Sequence, residues 1–279
     1  MDNNWRLGLI GCGNMGSALV SGVTQSSLID PDRVWVFDVD KNKTALIRDR
    51  KPVHIADSNA DLLDKADTIV LAVKPQVMQN VLEEIRPYAN PQHLFISVAA
   101  GVPIRMYERF LGPEIRIVRT MPNIPCLISR GATAVTAGRF ARQGDLQRVL
   151  EIFNSIGLAY EVEEKHMDAV TGLSGTGPAY IFHLVEALTA AGSKLGLAPA
   201  VATALSYQTV LGAAHMIAET GLDPAELRRR VTSPNGTTEA ALKILSEADF
   251  MGLIERTVFR ATQRSEELGR VFHAPHTEG

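Results

Sequence analysis

The segment Gly11-Cys12-Gly13-Asn14-Met15-Gly16 constrains this chain more than any other. An apolar run from Trp5 to Ile10 precedes it, and a helical pattern from Ser17 to Val23 follows. In the order strand, tight glycine turn, helix, a G-x-G-x-x-G match becomes a dinucleotide-binding signal. The first glycine permits the turn, the second lets a pyrophosphate reach the backbone, and the third lets helix pack close to strand. Val34 to Phe37 predicts the second strand, ending at Asp38, 22 positions after Gly16. An acidic residue about 20 positions beyond the turn meets the adenosine ribose. A carboxylate there favours NAD and repels the 2′-phosphate of NADP, whereas Lys41 and Lys43 offset that repulsion. Both cofactors stay open.

Strand and helix patterns continue to alternate. Thr68 to Val73, Leu94 to Val98 and Ile115 to Thr120 read as buried strands. The turns after the first two, Ala72-Val73-Lys74-Pro75 and Ala99-Ala100-Gly101, fall at carboxyl ends of strands, where open parallel sheets bind ligands. Lys74 is either a phosphate or nicotinamide contact or a solvated turn residue. Asn59, between a short strand (Val53 to Ile55) and a short helix, either caps that helix or faces the adenine side. Met121-Pro122-Asn123-Ile124-Pro125 predicts an extended, ordered loop, because its prolines cannot continue a sheet. Ala132 to Ala137 and Ala159 to Val162 read as closing strands around a helix from about Arg142 to Phe153.

Alternation then stops. After a glycine-broken joint, Thr171 to Tyr180, two helices follow that are apolar nearly all round, the second from about Ala200 to Thr220. Such helices must be covered on several sides, which a single chain of this length hardly achieves. The expected architecture is α/β then all-α: a Rossmann-type domain over residues 1–163 and a helical domain over 164–279 that pairs with a second copy. An amphipathic helix from about Phe250 to Leu268 and a frayed tail, His273 to Gly279, end the chain.

Composition narrows the functional classes. A net charge of −3 gives no bulk reason to expect nucleic-acid binding, and Arg228-Arg229-Arg230 reads as a solvated helix end. The two cysteines, Cys12 and Cys126, stand far apart and outside any metal-ligand spacing, so neither a disulfide framework nor a metal site is expected. Met1 to Trp5 carries no basic segment leading into a long apolar one, and the apolar region Ala187 to Ala218 is interrupted by Lys194, Gly196 and Pro199. The cytoplasm is the expected compartment, with no membrane contact.

One further stretch carries chemistry. Val231-Thr232-Ser233-Pro234-Asn235-Gly236-Thr237-Thr238-Glu239 crowds small and hydroxylated residues before a helical pattern at Ala240 to Leu245. It reads either as an ordinary helix cap after a turn or as an anion site, since first-turn N–H groups lack intrahelical partners and sit at the positive end of the dipole.

The set of motifs resembles the pyrroline-5-carboxylate reductase family. Gly11 to Gly16, Ala72-Val73-Lys74-Pro75-Gln76, Ser97-Val98-Ala99-Ala100-Gly101, Met121-Pro122-Asn123-Ile124-Pro125, Ser174 to Tyr180 and Val231 to Thr238 occur in that family's order over almost the whole chain. The resemblance implies reduction of the cyclic imine 1-pyrroline-5-carboxylate to L-proline with NADPH or NADH. It implies that Gly11 to Gly16 hold the pyrophosphate, that Asn59 and Ala72 to Pro75 contact the cofactor, and that Ala99, Ala100 and Gly101 line the nicotinamide side. Ser233, Gly236 and Thr237 would take the substrate carboxylate and Thr238 the ring nitrogen, with Glu164 near the substrate. Family members are dimers through the helical domain, often assembled into decamers. Asn235 stands where glycine is usual, yet asparagine tolerates positive φ; Ile124 replaces a common threonine.

Two other readings compete. β-Hydroxyacid dehydrogenases also join a dinucleotide domain to a helical one, but their catalytic lysine has no counterpart between Pro178 and Ala191. A redox sensor would bind nicotinamide without turnover, which the Ser/Thr cluster argues against. His166, His183 and His215 read as structural or interfacial.

Overall fold

The structure, a computed structural model, describes residues 5–270. The segment Met1 to Asn4 and the tail His273 to Gly279 lie outside the described residues.

One eight-stranded sheet has the order β3-β2-β1-β4-β5-β6-β7-β8. The strands are β1 (Leu7–Ile10), β2 (Val34–Phe37), β3 (His54–Ile55), β4 (Thr68–Leu71), β5 (Leu94–Ser97), β6 (Arg116–Met121), β7 (Gly131–Ala137) and β8 (Gly157–Glu161). β1 to β6 are parallel, β7 is antiparallel to β6, and β8 is parallel to β7. Every residue of β1, β4 and β5 is buried, as expected for parallel strands covered on both faces.

Six helices supply the cover: α1 (Asn14–Gln25), α2 (Lys41–Arg50), α3 (Asn59–Lys65), α4 (Pro75–Ile85), α5 (Ile104–Leu111) and α6 (Gln143–Asn154). On one face Leu19 and Val23 of α1 and Val149 and Phe153 of α6 join a core with Leu9, Val70, Ile96 and Val118. On the other, Leu62 of α3, Met78 and Leu82 of α4 and Tyr107 of α5 join Ile10, Leu71, Phe95 and Ile117. Sequence neighbours such as Leu9 and Ile10 part to opposite faces because strand side chains alternate. β1 lies between β2 and β4, so the winding reverses at β1 and opens a crevice at the carboxyl ends of these strands.

After β8 come a 3₁₀ turn (Glu164–His166), α7 (Met167–Val170), a π-helical turn (Thr171–Gly175), α8 (Gly177–Lys194), α9 (Pro199–Thr220), α10 (Pro224–Arg230), α11 (Thr237–Glu247) and α12 (Phe250–Arg270). The chain divides into two compact units, one of residues up to Thr176 together with those from Arg260 onward, the other Gly177–Phe259. This division falls later than the change of pattern near Glu163. The physical reason is that the π-helical turn packs with the sheet: Asn123 Nδ2 donates to the Ser174 carbonyl at 3.0 Å.

In the second unit no residue of α8 is buried, and Ile181, Phe182, Leu184, Leu188, Leu205 and Leu211 are exposed. Apolar surface of that extent on two consecutive helices marks an interaction face. The short α10, which the sequence patterns did not reveal, ends in Arg228, Arg229 and Arg230, where cations complement the terminal carbonyls. Among the described residues no helix is long and apolar enough to cross a membrane.

Three local expectations are corrected. The proline loop is extended only through Asn123 and then tightens into a 3₁₀ turn, Ile124–Ile128, because Pro125 fits the first positions of a helical turn. Asn59 does not cap α3: the Ser58 side chain accepts from the Asp61 N–H at 3.0 Å, and Asn59 is the first helical residue. α11 begins at Thr237 rather than Ala240, which places Thr237, Thr238 and Glu239 in its first turn.

Candidate active site

The glycine turn shows why two of its glycines are needed and leaves open space over Gly13. Gly11 has φ 100°, and a Cβ there would lie 2.8 Å from the carbonyl carbon and oxygen of Ala72. A Cβ on Gly16 would collide with the Gly11 carbonyl oxygen, whereas one on Gly13 would meet nothing within 4 Å. The turn is pinned by Gly11 N–H donating to Phe37 O at 2.8 Å, and the neighbouring turn by Ala72 N–H donating to Ile10 O at 2.8 Å. α1 starts at Asn14 with Gly13 as its N-cap, no side chain caps it, and its first turn holds no acidic residue. Its leading N–H groups suit an anion.

Asp38 is tied to this turn. Its Oδ2 accepts from Cys12 N–H at 2.8 Å and its Oδ1 from Asp40 N–H at 2.9 Å, with Lys43 Nζ 3.8 Å from Oδ1. Each carboxylate oxygen has a second lone pair free for a sugar hydroxyl. Burial first, and the Asp38 carboxylate second, push the Cys12 thiol up to about 12 against the opposing Lys43, so it stays protonated and inert. Asn59 is buried, and its Oδ1 has no hydrogen-bond partner. A buried acceptor left unpaired is costly, and a ribose hydroxyl or amide donor would satisfy it. An uncapped helix start, open space over Gly13 and an unpaired Asn59 oxygen together fit a dinucleotide.

At the next two strand ends, Lys74 is exposed and precedes α4 without capping it by its side chain. Ala99 and Gly101 are buried and Ala100 is half-buried, with Gly101 at φ 74°. Glu164, expected near the substrate, uses Oε1 to accept from the backbone N–H of Ile104 at 2.8 Å and from Arg119 Nη1 at 3.2 Å. Arg119 is buried, and the sequence patterns gave no hint of it.

In the second unit, Gly236 is the N-cap of α11 and no side chain caps that helix. Asn235 adopts φ 58°, so the turn survives without glycine. Gly236 N–H donates to Ser233 O at 3.0 Å, and Asn235 N–H to Glu239 Oε2 at 2.7 Å. Ser233 and Thr237 are exposed, and Gly236 and Thr238 half-buried. The helix is thus capped by Gly236 after the turn at Pro234 and Asn235, with no side-chain cap on its first-turn N–H groups.

Comparison with known proteins settles the family. The Methanosarcina acetivorans pyrroline-5-carboxylate reductase is 40% identical over 267 residues, covering 96% of this chain and 99% of its own. The chain belongs to the pyrroline-5-carboxylate reductase family. A family model described as pyrroline-5-carboxylate reductase dimerisation matches residues 164–268, and one described as NADP oxidoreductase, coenzyme F420-dependent, matches residues 6–101. Among solved structures, a pyrroline-5-carboxylate reductase from Coxiella burnetii superposes with a TM-score of 0.90 at 37% identity, covering 95% of this chain and 98% of that one. A Plasmodium falciparum pyrroline carboxylate reductase, solved with NADP bound, gives 0.85 at 33% identity, covering 96% and 99%. As a member of this reductase family the chain is an NAD(P)-dependent oxidoreductase with a dimerisation region.

Proposed function

We propose that this chain reduces the C=N bond of 1-pyrroline-5-carboxylate to give L-proline, the last step of proline biosynthesis, with NADPH or NADH. The end-to-end match to pyrroline-5-carboxylate reductases carries this reading, since it spans both the glycine turn and the helix start at Thr237. Residues 1–163 form the dinucleotide-binding domain and residues 164–279 the substrate-binding and dimerisation domain, in keeping with the family match from residue 164 onward.

Gly11 to Gly16 receive the pyrophosphate on the uncapped start of α1. Asp38 meets the adenosine ribose, Asn59 and Ala72 to Pro75 contact the cofactor, and Ala99 to Gly101 line the nicotinamide side. Bound NAD(P)H supplies a hydride. Ser233, Gly236 and Thr237 hold the substrate carboxylate at the uncapped start of α11. The Thr238 hydroxyl bonds the ring nitrogen and orients the imine. A protonated imine brings its own proton, so Thr238 need not ionise. What remains is placement, with the imine carbon about 3–3.5 Å from the hydride donor. The test is proline formation by the purified full-length chain with each cofactor; a folded chain that makes none sinks the reading.

Cofactor choice turns on Asp38. Asp38→Ser is expected to raise the NADPH-to-NADH ratio of kcat/KM on the order of tenfold by removing a like charge near the 2′-phosphate. Because Asp38 also pins Cys12 N–H, both cofactors should lose some affinity. A ratio that stays put refutes its discriminating role.

The chain forms a homodimer through its helical region, and such dimers assemble further into decamers. The exposed apolar faces of α8 and α9 support the association. A monomer mass in light scattering contradicts it, and a dimer mass leaves out the decamer. Two buried, free cysteines accord with a reducing cytoplasm; fractionation of the native cells checks this.

A further inference from the structure

We propose that Ser265 and Gly269, near the carboxyl end of α12, are positioning residues that fix the Gly101 backbone in the turn after β5. The assignment rests on the reductase reading, which puts Ala99 to Gly101 on the nicotinamide side. The fold places this turn where open parallel sheets meet their ligands, at the carboxyl end of a strand paired with β4. Both α12 residues belong to the same compact unit as the sheet.

The turn is held from two directions. Where β5 ends, Thr120 Oγ1 donates to Ser97 O at 2.9 Å, and Ser97 Oγ accepts from Ala99 N–H at 3.2 Å and is bonded to the buried Tyr107 hydroxyl. Two residues beyond Ala99, Gly101 turns at φ 74°, and α12 forms the wall behind it. The buried residues of α12 are Ser265 and Gly269, four apart and therefore on one face of the helix.

The fit is tighter on the helix side than on the turn side. A Cβ on Gly101 would find ordinary packing distances, 3.6 Å to Gly269 N and to the Ser265 carbonyl oxygen. A Cβ on Gly269 would lie 3.0 Å from the Gly101 carbonyl oxygen, and beyond its own helix it would meet no other described atom within 4 Å. Gly269 thus gauges that one oxygen. Ser265 keeps the gauge in place: its Oγ donates to Asp168 Oδ1 at 2.6 Å, across 97 positions, a distance typical of a hydroxyl on a carboxylate. Asp168 lies in α7 beside the fully buried Met167, so α12 cannot slide or roll on Gly101 without breaking this bond.

The experiment uses the full-length chain carrying Gly269→Ala, Gly269→Val, Ser265→Ala or Asp168→Asn. Melting temperature, NADPH affinity, the emission of bound NADPH and the single-turnover rate of hydride transfer are read. Alanine favours a helix over glycine, so Gly269→Ala is expected to hold or raise the melting temperature. Its methyl group pushes the Gly101 oxygen by a few tenths of an ångström, and hydride transfer should slow by about threefold to tenfold. Gly269→Val should slow it by about 10- to 100-fold, the effect of a misplaced reacting group. NADPH affinity should stay near wild type in both. Ser265→Ala should lose part of the rate, whereas Asp168→Asn keeps an acceptor for the serine hydroxyl and should retain most of it.

An unchanged rate in both glycine variants overturns the proposal, because the helix and not the turn has then yielded. So does a rate that falls only in proportion to the loss of folded protein. Emission of bound NADPH without imine reads nicotinamide placement apart from turnover, and glycine-variant spectra that overlay wild type also overturn the proposal. If Gly269→Val does not fold, the same outcomes are read on Gly269→Ala alone. A wild-type chain that makes no proline instead defeats the reductase reading.

Discussion

Gly16→Ala is expected to cost about 1–3 kcal/mol of stability and to weaken NADPH binding by at least about tenfold. The added methyl group would collide with the Gly11 carbonyl oxygen and crowd Leu9. Neither neighbour yields easily. Gly11 already sits at φ 100° against the Ala72 backbone, and Leu9 is fully buried between sheet and helix. Relief must come from lifting α1, which carries the first-turn N–H groups away from the pyrophosphate. Gly13→Ala is the matched control. Nothing lies within 4 Å of its new methyl group, so thermal stability should hold while cofactor affinity falls, because the methyl fills the approach to the turn. Thermal melts and NADPH titrations on both variants check the contrast. Equal melting temperatures for Gly16→Ala and wild type would show that the third glycine is not a packing requirement here.

Thr238→Ala should lower kcat/KM for the imine by about 100-fold, the size of effect seen when a single oriented hydrogen-bond partner is lost from a reacting centre. Thr238 is half-buried in the first turn of α11, and truncation there to a residue with high helix propensity should not disturb the helix. The NADPH dissociation constant and the melting temperature are accordingly expected to stay put, and Thr238→Ser to retain most of the activity. Steady-state kinetics with the cofactor saturating separate the possibilities. Unaltered kcat/KM in Thr238→Ala removes it from the mechanism, and a parallel loss of cofactor affinity would assign it elsewhere.

Much of the sheet was legible because buried parallel strands are continuous runs of β-branched and other apolar residues. Val34 to Phe37 coincides with β2, and the runs at Thr68, Leu94 and Ile115 fall on β4, β5 and β6 to within a residue or two. α10 escaped because its seven residues, dominated by charge after Pro224, present no apolar stripe. α11 begins earlier than the apolar pattern at Ala240 predicts, since Thr237, Thr238 and Glu239 occupy its first turn without adding to an apolar stripe. Ser58 and Asn59 are both good cap residues, and only backbone geometry chooses between them. The pairing of Arg119 with Glu164 was beyond the reach of local pattern. Their contact spans 45 positions, and that with Ile104 spans 60; both depend on the direction of one strand, β7, that periodicity does not encode.

The carboxyl end of α12 has a consequence for biogenesis. Residues from Arg260 onward belong to the same compact unit as the sheet. There Gly269 backs Gly101, and Ser265 Oγ donates to Asp168 Oδ1 at 2.6 Å. On a ribosome, which releases a chain amino end first, the strands and their covering helices emerge early but cannot seal this wall. That unit is therefore completed only once the chain as far as Gly269 has been made. A nascent chain, or one stopped before Ser265, lacks this packing against Gly101 and Asp168 even when every strand is present.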